Sequence, residues 1–260
     1  MTQTLDLLHA CLRYVHIGLG FAGLALFWWI MAAPKGTRGH LRAGKLFVLA
    51  AYVVGGSALF SSLWAVVHVD SFASFIPQAS PGKQAALREL YRFLFLILLY
   101  LSAATISGAV YGVRLMRVRE AHGRLRQTSV LGWLGLSLAC AMLLTAFGVY
   151  RLTQGPPQGG PLSLAAYLVP LLLGLFGAAA AVKEMRYVLG PQPAPRNWLY
   201  KHVENLLGTG IAFHTAFIVF GAGRLFGFQF EGPWALAPWV GPPVVGTALA
   251  SWYVRRLKVR

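Results

Sequence analysis

The sequence predicts an all-α integral membrane bundle of seven transmembrane helices, with the N-terminus outside and the C-terminus in the cytoplasm. Three observations lead there. Hydrophobic residues make up 57% of the 260-residue chain and charged residues 12%, where soluble proteins average ~45–50% and ~25%. So few charges cannot cover the surface of a water-soluble globule, which excludes a soluble enzyme, a disordered chain and a disulfide-rich secreted domain. Apolar runs of membrane-crossing length recur along the whole chain, each close to the ~20 residues of helix that a bilayer requires. The basic excess is large, 23 Lys and Arg against 7 Asp and Glu, and it is unevenly placed.

The first span is read as Leu12–Ala33 and closes at the turn residues Pro34 to Gly36. Its N-terminal side lacks a basic segment and its apolar run is long, so it is expected to be a span and not a cleaved signal. The second is Leu46–His68 and the third Tyr91–Val113. Between them Val69–Leu90 forms the longest external loop, expected to carry a short surface helix from Lys83. The fourth is Ser129–Tyr150 and the fifth Ser163–Val182, which Pro170 should bend. The segments TQGPPQGGPL before the fifth span and GPQPAPRN after it are turn chemistry with nothing to fold. The sixth is Leu199–Ala222. The seventh is Trp234–Val254, expected to be kinked or partly unwound near one end by Pro238, Pro242 and Pro243. The reading is a single transmembrane domain over residues 1–260, so any chemistry must use helix surfaces and short loops.

The basic residues orient the bundle. Lys35, Arg38, Arg42 and Lys45 lie in the first loop, and Arg114, Arg117, Arg119, Arg124 and Arg126 in the third. Lys183, Arg186, Arg196 and Lys201 lie in the fifth, and Arg255, Arg256, Lys258 and Arg260 in the tail. These 17 of 23 fall on one side, which the positive-inside rule assigns to the cytoplasm. They are read as orientation signals that also attract anionic lipid headgroups. Division among four short segments argues against nucleic-acid binding. Trp28, Trp29, Trp133, Trp198 and Trp252 fall near the inner interface, and Trp64, Trp234 and Trp239 near the outer one.

Small residues recur at four-residue spacing in Gly18/Ala22, Ala104/Gly108/Gly112, Gly174/Ala178 and Gly208/Ala212/Ala216. They predict close helix packing inside the bundle, with a homodimer or larger membrane complex as the alternative use of the same stripes. Three inside-to-outside helices also begin alike, each with a His and basic residues before a Gly/Ala-rich run, which suggests three helical hairpins plus one helix.

Cys11 and Cys140 form no CxxC pair, and no Walker A, GxSxG or HExxH motif occurs. The seven histidines are more informative. His40, His122 and His202 form an inner layer at helix starts, read as contacts to lipid phosphates or loop caps. His9, His16, His68 and His214 lie in the outer half, and only His214 is deep in its span. An ionisable group at that depth is a functional candidate, and the alternative is a neutral His that hydrogen-bonds a neighbouring helix for structure alone. His9, Arg13 and His16 share one face of the first helix. Asp70 is positioned in sequence to orient His68. Three chemistries fit a convergence of His16, His68 and His214. Two imidazoles can ligate haem b, with Arg13 steadying a propionate. Three with water can hold a catalytic metal. A His/Arg/Asp set can bind a quinone or relay protons. His202 and His214 are twelve residues apart, ~18 Å along a helix. Two stacked haems would need a second helix with the same pair, which is absent.

The first hairpin, His16 followed by Pro34-Lys35-Gly36-Thr37-Arg38-Gly39-His40-Leu41-Arg42-Ala43-Gly44-Lys45, resembles a family of uncharacterised bacterial multi-pass membrane proteins. That family carries a His in its first helix and a "KG…HRxxGR/K" cytoplasmic turn. Here Leu41 displaces the basic residue by one position. The resemblance covers ~40 residues and implies a bacterial cytoplasmic (inner) membrane protein, with no activity to transfer. A looser similarity to haem-b membrane reductases implies histidines near both surfaces.

Composition and motifs together favour a redox-associated haem- or quinone-binding membrane protein with its site in the outer half. The alternatives are a non-enzymatic transporter or membrane-complex assembly subunit, with a cavity at the proline breaks, and a metal-dependent membrane hydrolase. The expected partners are the lipid bilayer and a quinone or other small hydrophobic ligand.

Overall fold

The computed structural model describes residues 2–73, 75–155, 164–227 and 237–259, and for residues 2–10, 71, 164–165, 224 and 256–259 the backbone alone. Among the described residues every regular element is helical: α1 Thr2–Ala32, α2 Arg38–Val67, α3 Val69–Phe72, α4 Pro81–Val118, α5 Thr128–Gln154, α6 Leu168–Leu189, α7 Asn197–Ala216, α8 Gly223–Phe226 and α9 Ala237–Val259. Short 3-10 turns cover His122–Leu125 and Leu164–Tyr167, and a π-helical segment, Phe217–Ala222, continues α7. Six helices are long and apolar enough to cross a membrane: α1, α2, α4, α5, α6, and α7 with its π segment. Together they make a multi-pass integral membrane protein. Large apolar side chains such as Phe60, Leu63, Val67, Leu143, Phe176 and Val244 are exposed, the pattern of helix faces meeting hydrocarbon in place of water.

Several sequence expectations change in detail. α4 begins at Pro81, so residues from Lys83 form its first turns and not a separate surface helix. Pro at the first helical position has no amide bond to lose. At 38 residues α4 is about 57 Å long, well beyond a ~30 Å hydrocarbon core. Pro170 does not bend a span. α6 starts at Leu168, and Pro170 occupies its first turn, where backbone N–H groups have no intrahelical acceptor. α9 is a continuous helix through Pro242 and Pro243, and it does not meet the length-and-hydropathy standard of the other six. The expected span start at Trp234, and Arg260, lie outside the described residues.

The chain divides into two compact units. The first comprises Met1–Ala58, Thr105–Ala121 and Pro193–Arg260. Its core gathers Ala51, Ala109 and Phe213, with Leu24 and Val54 against them. Small residues bring its helices close, as the sequence stripes predict. A Cβ on Gly108 would sit 2.7 Å from Thr209 Oγ1 and 3.2 Å from the Asn205 carbonyl, and one on Gly112 would meet Leu206. Gly18 and Gly208 belong to the same kind of stripe but face open space. Glu120 fixes the start of α7: its Oε1 accepts hydrogen bonds from the Arg196 N–H at 3.0 Å and the Trp198 Nε1–H at 2.9 Å. Arg196 is held there with φ 64, a left-handed conformation unusual for a side-chain-bearing residue.

The second unit comprises Leu59–Ala104 and His122–Gln192. Leu99, Ala103 and Cys140 form one buried cluster, with Leu59 and Tyr100 packed on it. α5 and α6 lie backbone to backbone. A Cβ on Gly148 would be 2.7 Å from the Leu171 amide nitrogen, and one on Gly174 would be 2.7 Å from both the Ala141 carbonyl and the Thr145 amide nitrogen. Near α4's N-terminal end Glu89 is 4% exposed and ion-paired with Arg151. The fully buried Tyr167 directs its hydroxyl at the other carboxylate oxygen, 3.5 Å away. Burial, and then the Glu89 charge, push the Tyr167 phenol up to about 12, so it stays protonated as a donor.

Some of the basic residues bond helix ends. Lys35 Nζ donates to the Ile30 and Met31 carbonyls at 2.6 and 3.0 Å. Arg126 donates to the Val188, Leu189 and Gly190 carbonyls at 3.3, 3.2 and 2.9 Å. Both cap helix C-termini, where orphan carbonyls and the negative dipole end attract a cation. Arg38, Arg42, Lys45, Arg117, Arg119, Arg124 and Arg255 are exposed, and Arg114 is half-buried. The side chains of Arg256 and Lys258 lie outside the described residues.

Candidate functional site

α7 carries the site. Its sequence is helical through Ala216, and the π segment begins three residues after His214. π-helical turns inside helices are frequent at functional sites because the extra residue re-aims the side chains around it. His214 Nδ1 lies 2.7 Å from the carbonyl of Gly210, one turn earlier. His214 Nε2 accepts a hydrogen bond from Trp28 Nε1–H at 3.0 Å. An imidazole that accepts at Nε2 carries its proton on Nδ1, so the two bonds together select the neutral Nδ1–H tautomer. Phe27 and Trp28 of α1 meet the imidazole edge to face, with centroids at 5.1 and 5.6 Å. Phe27 also covers the bare Cα of Gly210, where a Cβ would collide with its ring. The glycine thus lets α1 reach the histidine.

Beside this pair lies a cavity of about 400 Å³, within the range of small-molecule sites. Its walls come from the first unit: α1 supplies Trp28 and Met31, α7 Leu207 and Ile211 beside His214, and α9 Pro238, Gly241 and Pro242 among others. Among the described residues the lining is apolar except for His214 and the indole N–H of Trp28. The proline-rich start of α9 therefore does line a cavity. Pro242 has no N–H, so the Pro238 carbonyl lacks the i+4 amide donor of a regular helix. Trp28 is 55% exposed, and Val245 and Leu249 of the lining are also exposed, so among the described residues the cavity is not fully enclosed.

The other sequence candidates have different surroundings. His16 Nδ1 is 2.8 Å from Ser57 Oγ, and His16 does not line the His214 cavity. It lies twelve residues from Trp28 on α1, ~18 Å along the helix. Arg13 is exposed, its guanidinium 5.6 Å from the Tyr14 ring centroid. His68 belongs to the second unit and stacks on Trp64 at 4.3 Å. Asp70 does not orient it. Both Asp70 oxygens receive the Arg88 guanidinium at 2.8–3.1 Å. The His9 side chain lies outside the described residues. Among the described residues no group of three or more His, Cys, Asp or Glu side chains is placed to hold a metal ion. In the inner layer His202 Nδ1 is 2.8 Å from the Gly112 carbonyl. His122 is 3% exposed, edge-on to Tyr187 at 5.0 Å, and so does not reach a headgroup phosphate.

The hydrogen bonds from Arg88, more than its charge, hold the Asp70 carboxyl below its ordinary value. A lowered native pKa means that the pair stabilises the fold fully above the unfolded value of about 4 and that this contribution is lost as pH falls through the lower native value. The thermal-stability gap between wild type and Asp70→Asn is therefore expected to be full at pH 7 and smaller at pH 3. A gap that is the same at both pH values would refute this.

Compared with known proteins, the chain matches no family model, no curated protein and no solved structure.

Proposed function

We propose that this is a bacterial cytoplasmic-membrane protein that binds a quinone-class ligand in the His214 cavity and takes part in membrane redox chemistry. The single observation that supports it is His214 itself. Among the described residues it is the one ionisable side chain lining an apolar cavity, where a membrane-dissolved ring with one polar edge would be admitted and oriented. The proposed topology keeps seven spans, N-terminus outside and C-terminus inside, on the strength of the basic segments. Membership of the bacterial family suggested by the His16–Lys45 hairpin accords with it and is part of the proposal.

Haem b is the competing occupant of the same site. His214 would ligate iron through Nε2, with Nδ1 already held by a backbone carbonyl as in many ligating histidines. Met31, whose thioether is a second donor type, is also in the lining. When bound, haem would supply one-electron chemistry. A His16–His68–His214 metal site, with Arg13 nearby, is the basis of the hydrolase reading, and no geometry favours it. The transporter or assembly-subunit reading draws support from the proline-lined wall of the cavity and from the buried Glu89–Arg151 pair.

The test is to purify the protein in mild detergent, extract it with organic solvent and assay quinone. Visible spectra are recorded with and without dithionite. Gly241 lines the cavity, and a Cβ there meets nothing within 4 Å, so Gly241→Leu should fill the cavity without disturbing the helix. Co-purified quinone is expected from wild type and a severalfold loss from Gly241→Leu. A Soret band that shifts on reduction would replace quinone by haem. Colourless protein with no more quinone than an unrelated membrane protein would overturn both.

A further inference from the structure

The Trp28–His214 pair has a chemical polarity that selects among ring ligands. Donation from Nδ1 to the Gly210 carbonyl leaves Nε2 as a bare acceptor, and the indole N–H, a donor only, faces it. With the pair closed, donor and acceptor satisfy each other. A ligand atom that inserts between them must accept from the indole and donate to the imidazole. A hydroxyl oxygen does both with one atom. A carbonyl or ether oxygen does only the first and leaves the imidazole lone pair unmatched in an apolar cavity, a state that is costly relative to water.

The geometry permits such an insertion. The imidazole is braced by its Gly210 bond and by the Phe27 ring packed on that glycine, whereas Trp28 is more than half exposed. The indole can therefore yield while the histidine stays. The cavity lies directly beside the pair, and its remaining described walls are apolar, from Phe27, Met31, aliphatic side chains and proline surface, suited to a ring and an alkyl tail.

We propose that the Trp28–His214 pair reads a ligand hydroxyl, so that the cavity prefers the hydroxyl-bearing, reduced hydroquinone or an alkylphenol over the corresponding dione or ether. This rests on the assignment of the His214 cavity as the ligand site and names the chemical form it takes.

The experiment uses a redox-inert pair, 4-decylphenol and 4-decylanisole, which differ only in that hydroxyl. Binding to full-length protein in nanodiscs is measured by equilibrium partition against empty nanodiscs, with decylubiquinone as a third ligand. Wild type is expected to bind the phenol about tenfold more tightly than the anisole, the effect of one hydrogen bond of ~1.4 kcal/mol. In His214→Phe both should still bind and the ratio should fall toward one. Trp28→Phe tests the same logic if the first variant does not fold. It removes the donor, so decylubiquinone binding should drop while the phenol keeps its bond to Nε2. Equal binding of phenol and anisole by wild type would overturn the hydroxyl proposal and leave the cavity assignment standing. Binding of none of the three ligands above empty nanodiscs would overturn both.

Discussion

Glu89→Ala is expected to destabilise the protein by about 3 kcal/mol, because it leaves the Arg151 guanidinium largely desolvated without its counter-charge. The two residues meet where α4 and α5 come together in the second unit, and Glu89 is almost wholly enclosed. Arg151 already has a buried Nε without a hydrogen-bond partner among the described residues, so removal of the carboxylate leaves its guanidinium with the Tyr150 ring, 5.1 Å away, in place of a counter-charge. Tyr167 loses its acceptor in the same step. The double variant Glu89→Leu/Arg151→Leu should be more stable than Glu89→Ala, since a buried pair replaced whole by apolar groups carries no stranded charge. Unfolding in detergent micelles, followed by circular dichroism against added denaturing detergent, gives both numbers. A double variant no more stable than Glu89→Ala would show that the lone Arg151 charge carries no such penalty.

Gly174→Val should lose about 2–3 kcal/mol, the usual penalty for overpacking a tight contact. The new Cβ would run into Thr145 Oγ1, the Ala141 carbonyl and the Thr145 amide nitrogen. The last two are backbone atoms of a helix and cannot turn aside as the end of a flexible side chain can. Gly208→Ala is the matched control. It stands in an equivalent small-residue stripe yet faces open space, so it should be neutral or slightly stabilising, by up to ~1 kcal/mol, through helix propensity. The same micelle unfolding assay distinguishes them, and a Gly208→Ala loss as large as that of Gly174→Val would show that the stripes pack differently from the structure.

That pair of glycines shows where sequence reading stops. Both sit in small-residue stripes, and nothing local distinguishes the one that packs from the one that does not. Helix existence was legible because it depends on composition within a window. Twenty apolar residues in a bilayer must satisfy their own backbone hydrogen bonds, whatever lies beside them. Helix ends were less legible. α4 runs ten residues earlier than the apolar run and α6 seven residues later, because charged turns beyond the hydrocarbon continue a helix that hydropathy no longer reports. Pro170 looked like a bend until the structure made it a first turn.

The site divides in the same way. His214 stood out in the sequence because an ionisable group at that depth is costly and rarely idle. Its partner did not. Trp28 lies 186 residues away and resembled an ordinary interfacial tryptophan, and Gly210 one of many glycines. The supposed companions of His214 were chosen by depth alone. His16 instead meets Ser57 and His68 stacks on Trp64; His214 bonds Trp28, ~18 Å along α1 from His16, so the common outer level expected for His16 and His214 does not hold. The sequence by itself determined a helical membrane protein and a deep histidine, both consequences of free energies of transfer that each segment meets alone. Only the tertiary structure decided which helices approach, that the α9 prolines line a cavity, and that the histidine presents an acceptor facing an indole donor. Those depend on side chains far apart in the chain reaching within 3–4 Å of one another, a distance that no local pattern encodes.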